Sequence, residues 1–312
     1  MSKSYWKNQI KFLFTLLSIL SVIWLGFIIW NNLPKLMKSF SDINLLSFLF
    51  ICTFSLVSSY VSFEAFRCIF HITHPNTYSR KQLAHFYFTS QMMKHLPGRI
   101  WGIAYQANQG TVASTMQWIG INSIHMLINT AVALWIAIAI LLFTISPYIA
   151  SIFIFIGFPI FYIILSPKIF EKIRMWAKNK NYDKLFKLFN SIYEISSKNI
   201  RSKNVAFIYI LTGWILYLIS WAGYSLVWPS LSILDAIALC GIYTIAWFVG
   251  YVSFISPSGI GIRELVFIFL ANDFPIEIIT SILLFARCLL LLNDLTLGLI
   301  FLKNGTTHDT KK

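Results

Sequence analysis

Apolar residues fall along this chain in long unbroken blocks, without the polar alternation of a half-buried strand. Blocks of about 20 residues match the length of a helix that crosses a bilayer. Seven occur, at residues 10–30, 43–63, 118–143, 149–165, 205–228, 234–255 and 276–302. The first begins among Lys3, Lys7 and Lys11 and has no small-residue cleavage site after it. It is expected to be a retained anchor with its N-terminus inside.

Two stretches break the pattern. Residues 85–109 would be insertable but for Lys94, His95, Pro97, Gly98 and Arg99. Residues 256–273, SPSGIGIRELVFIFLAND, carry Pro257, Gly259 and Gly261 just before Arg263 and Glu264. Each follows an apolar block, sets Pro and Gly beside Arg, and precedes another apolar run. Paired interruptions of this kind in two halves of a chain point to a transport site. The predicted fold is all-α integral membrane: a polytopic helical bundle of about seven to eight spans, with two re-entrant or broken hairpin segments. One domain covers residues 1–312.

Composition agrees with the blocks. Apolar residues make up 57% of the 312 positions and charged residues 12%, against about 45–50% and about 25% in soluble domains. That excludes a water-soluble enzyme, a disordered chain and a disulfide scaffold. The net charge of +14 is uneven: residues 168–203 hold ten basic and three acidic side chains, half the surplus. A basic run can signal nucleic acid, but one set between apolar blocks fits a cytoplasmic loop at 166–204 against anionic lipid. Its apolar positions (Ile169, Ile173, Trp176, then Leu185, Phe189, Ile192) keep helical spacing. They predict amphipathic helices, either in the headgroup region or packed on the protein's own face.

With both broken stretches returning to one side, the N-terminus, residues 64–82 and the basic loop all face the cytoplasm. Lys303, Lys311 and Lys312 then lie outside, unless one stretch is a true crossing. Cys52, Cys68, Cys240 and Cys288 are scattered, with no metal-ligand spacing. No metal or cofactor is expected, and Gly259-Ile-Gly261 has no nucleotide fold around it.

Charges at membrane depth cost about 2.5–3.5 kcal/mol each on insertion scales, so they should face a polar interior. Lys94, Arg99, Arg263, Glu264 and Arg287 are the candidate headgroup-binding residues. Arginine forks suit phosphate oxygens, and a helix starting after Pro257 would aim free N–H groups the same way. Glu264 is expected to orient Arg263 or act as a proton-coupled switch. Arg287 is expected either on the ligand or against Glu264. Pro97, Gly98, Pro257, Gly259 and Gly261 are expected to shape the hairpin tips. A purely structural ion pair that staples the hairpin is the competing reading.

The stretches LPGRIWG (residues 96–102) and SPSGIGIRELVFIFLA (residues 256–271), with Arg287 in a late span, resemble the membrane domain of the lysylphosphatidylglycerol synthase family. The resemblance rests most on Pro257, Gly259, Gly261, Arg263 and Glu264 and extends over about residues 10–302. It implies a flippase-like, lipid-handling domain, here without the aminoacyl-transferase domain of bifunctional members. Where relatives carry a Glu-Arg pair, this chain reads WIGINSIHMLIN (residues 118–129), with His125 and Asn129 as polar candidates.

The function expected is therefore transport of an anionic phospholipid or polyprenyl-phosphate-linked saccharide between leaflets, in cell-envelope biogenesis. The setting expected is a bacterial cytoplasmic (inner) membrane. The alternatives are a membrane glycosyltransferase, disfavoured by a single acid in residues 31–42, and a non-transporting accessory subunit of an envelope polysaccharide complex. Expected partners are the lipid and membrane, with envelope-biosynthesis proteins or a second copy as further options, and no nucleic acid.

Overall fold

The computed structural model describes residues 43–93, 101–109, 112–164, 166–197, 200–252 and 261–302, together with residues 30 and 34. Its described residues are helical, joined by short turns and loops. Five helices are long and apolar enough to cross a membrane. They make the chain a multi-pass membrane protein. The block at 10–30, apart from residue 30, lies outside the described residues.

Helix α1 (Leu45–Thr73) begins where Asn44 caps it by accepting from the Leu46 N–H. It outruns its predicted block by ten residues. Helix α4 (Thr115–Ile145) starts at a reciprocal cap between Ser114 and Gln117. Ser146 and Pro147 end that run and open α5 (Pro147–Ile164). Helices α6 (Pro167–Asn179) and α7 (Asp183–Ser197) form the predicted amphipathic pair in the basic loop. Helix α8 (Ile200–Ala222) leads through the single turn α9 (Tyr224–Val227) to α10 (Ile233–Val252).

Hydrogen bonds fix the helix directions. Ser58 Oγ donates to Gly213 O at 2.8 Å and Ser220 Oγ to Ile51 O at 2.9 Å, so α1 and α8 run antiparallel. On the last helix, α12 (Ile276–Leu302), Asn293 Nδ2 donates to Ser55 Oγ at 2.6 Å. Ring pairs Phe48–Phe285 and Tyr60–Phe301 flank that bond, so α1 and α12 run parallel. The C-terminal ends of α1 and α12 and the start of α8 therefore share the side that carries α6 and α7, called here the basic side.

Two antiparallel helix pairs lie at the broken stretches, each with a short second helix. Helix α2 (Arg80–Met93) leaves the basic side, and α3 (Trp101–Gln109) returns beside it. Tyr105 Oη bonds His85 Nε2 at 2.7 Å and Gln106 Nε2 donates to Ser90 Oγ at 2.9 Å. The chain then meets its start again, where the Val112 N–H donates to Tyr78 Oη at 3.0 Å. In the second half, α10 pairs with α11 (Ile262–Leu270). Arg263 lies beside Gly250, and the ring of Phe267 packs 5.5 Å from that of Tyr243. This pair opens away from the basic side, where α11 turns into α12. The pairs α2–α3 and α10–α11 thus have opposite orientations in the bundle.

Candidate functional site

The α11 start is built around one carboxylate. Gly261 adopts φ 89°, a left-handed region open to glycine at little cost. That geometry turns its N–H toward Glu264 Oε2, which accepts at 2.6 Å. The bond is half of a capping box and ties the first turn of α11 to its own cap. The other oxygen, Oε1, accepts from Arg287 Nε at 2.6 Å and also from Arg287 Nη2. Glu264 is buried and Arg287 about a quarter exposed.

Arg263 has a different environment. Its side chain is buried, and its guanidinium carbon stands 4.1 Å above the ring of Tyr243. Among the described residues no carboxylate pairs with it, and its Nε is buried without an acceptor. The neighbouring stretch 253–260, SFISPSGI, supplies no acid either. Gly250 makes room for it: a Cβ there would stand 3.0 Å from Arg263 Cβ. Among the described residues the site therefore holds two guanidinium groups against one carboxylate.

Depth matters to that arrangement. At about 1.5 Å per residue, Arg287 lies roughly 16 Å of rise from the start of α12 and 22 Å from its end. Arg263, Glu264 and Arg287 are thus brought together well inside the bundle. Glu264 was expected to orient Arg263 or act as a proton-coupled switch, and Arg287 to meet the ligand or Glu264; in the structure the two Glu264 oxygens accept from Gly261 and Arg287. Lys94, Pro97, Gly98, Arg99, Pro257 and Gly259 were also predicted site residues and lie outside the described residues.

Sequence reasoning missed three features. Tyr243 carries no signal, being one aromatic in an apolar run. A second buried carboxylate, Glu64, binds Arg67 Nε at 2.7 Å and Arg80 Nε at 2.7 Å, closing the α1–α2 corner on the basic side. The hydrogen bond to Glu64 raises the Arg80 pKa. Asn122 was also overlooked: it donates to Gln106 Oε1 at 2.6 Å, tying α3 to α4. The two polar candidates named in that segment serve helix contacts, His125 with Ser62 O at 3.1 Å and Asn129 with Trp214 Nε1 at 3.1 Å.

Comparison with family models, curated proteins and solved structures gives no match. Among the described residues no group of three or more His, Cys, Asp or Glu side chains could hold a metal ion.

Proposed function

We propose that the protein moves an anionic lipid, either a phospholipid or a polyprenyl-phosphate-linked saccharide, between the leaflets of a bacterial cytoplasmic membrane. The observation that carries this reading is the buried guanidinium of Arg263, which has a ring beneath it and, among the described residues, no carboxylate bonded to it. A charge so placed is costly in a low-dielectric interior unless an anion arrives to pair with it. A phosphate oxygen would fill that role, and a planar fork suits it. Arg287, a quarter exposed and held by Glu264, would supply the second contact. Lys94 and Arg99 would add charge from the first hairpin.

Two helix pairs of opposite orientation support transport over simple anchoring. Inverted segments with interrupted helices allow a site near the midplane to open to either face. The resemblance to the lysylphosphatidylglycerol synthase membrane domain favours the same chemistry. On this reading the chain is a single flippase-like domain and not an enzyme. The N-terminus and the 166–204 loop face the cytoplasm, because basic residues concentrate there.

Reconstitution tests the proposal. Proteoliposomes holding fluorescent phosphatidylglycerol or a polyprenyl phosphate should expose inner-leaflet label to an external quencher faster than protein-free vesicles. Equal rates with both lipids and without protein would overturn it.

A further inference from the structure

We infer that the closed end of the α6–α7 hairpin is a contact surface for an anionic lipid leaflet. Its base belongs to the bundle. Phe170, Ile192 and Ile195 are buried in the same core as Phe63 and Phe66 of α1, and Ser191 packs on Gly120 of α4. The closed end has another character. Met175, Trp176, Tyr182 and Leu185 are 45%, 51%, 49% and 40% exposed. The rings of Trp176 and Tyr182 stand 5.7 Å apart across the turn.

Lys178, Lys180 and Lys184 are exposed around these four side chains. The turn between the helices is tight: Asn181 takes φ 55°, and the Asn181 and Tyr182 N–H groups donate to Lys178 O and Ala177 O. Apolar and cationic groups are therefore presented together on a short, defined end. Arg174 is not part of this surface; it turns inward, donating to Asn190 Oδ1 at 3.0 Å and lying over the Tyr193 ring at 4.2 Å.

Trp and Tyr favour the headgroup level, and lysines near a surface are drawn to anionic lipid. A water-facing loop would gain nothing from four exposed apolar side chains. The hairpin base is fixed to α1 and α4, which are long and apolar enough to span a bilayer, so a leaflet lies within its reach. Of the two expected placements, packing on the protein's own face holds for the base, and the closed end is exposed. This inference depends on the membrane assignment of α1 and α4 and is independent of Arg263.

The test uses the full chain with its four cysteines replaced by alanine and Asn179→Cys carrying an environment-sensitive fluorophore. The protein is placed in nanodiscs of brominated phosphatidylcholine, alone or mixed with brominated phosphatidylglycerol. Quenching should be at least about threefold greater in the anionic discs. It should fall to the neutral-disc level in K178Q/K180Q/K184Q and at high salt. Arg263→Gln should leave it unchanged, separating this surface from the transport site. Equal quenching in both discs, or none in either, would overturn the inference, as would full quenching in the lysine variant.

Discussion

Arg287 holds Glu264 across 23 positions of sequence, through bonds from Nε and Nη2 to a single carboxylate oxygen. The second oxygen is occupied by the Gly261 N–H, so the carboxylate is fully engaged within its own helix pair. Arg263, the adjacent residue, has no carboxylate bonded to it among the described residues.

The Glu264–Arg287 contact is open to a double-mutant cycle. Breaking a buried pair by removing one partner costs about 3–5 kcal/mol, with the lower end expected because Arg287 is partly exposed. Glu264→Gln and Arg287→Gln should each lower thermal stability in detergent, and the double variant should be less impaired than their sum. Strict additivity of the two losses would show the contact to be energetically idle.

Gly250 and Gly261 shape the site by different means. Gly250→Leu drives side-chain atoms into Arg263 and should cost about 1–3 kcal/mol by overpacking, while displacing the guanidinium from Tyr243. Gly261→Ala forces a Cβ into a left-handed backbone at about 1–2 kcal/mol and should weaken the cap on Glu264. Unfolding midpoints and amide exchange over residues 262–270 measure both. Wild-type protection in either variant would contradict the expected strain.

Asn293 and Ser55 join α12 to α1 by a buried hydrogen bond. Interhelical bonds in membranes contribute about 0.6 kcal/mol on average and up to about 1.7. Asn293→Leu with Ser55→Ala should yield a coupling energy in that range from equilibrium unfolding. A value near zero would mean that ring contacts alone set the parallel register.

Much of this architecture is legible in the sequence because lipid permits apolar runs without alternation. The runs at 118–143, 234–255 and 276–302 meet α4, α10 and α12 closely. The border at residue 63 is misplaced for a physical reason. Charges at Glu64 and Arg67 suggest the end of a span, yet they satisfy each other and Arg80, and α1 continues to Thr73. Arg263, Glu264 and Arg287 can be chosen from sequence because charge is rare at such depth. Their division of labour cannot, since it depends on which guanidinium reaches Oε1. Tyr243 stays hidden for a similar reason: nothing distinguishes a ring beneath an arginine from the other aromatics in α10.

The central claim is that Arg263 is kept charged and unpaired for a ligand. Arg263→Gln, measured for thermal stability and for lipid exchange in one preparation, tests it most directly. Removing an uncompensated buried charge should leave the unfolding midpoint unchanged or higher, while exchange of fluorescent phosphatidylglycerol falls at least about tenfold. A destabilised protein that still exchanges lipid at the wild-type rate would contradict it.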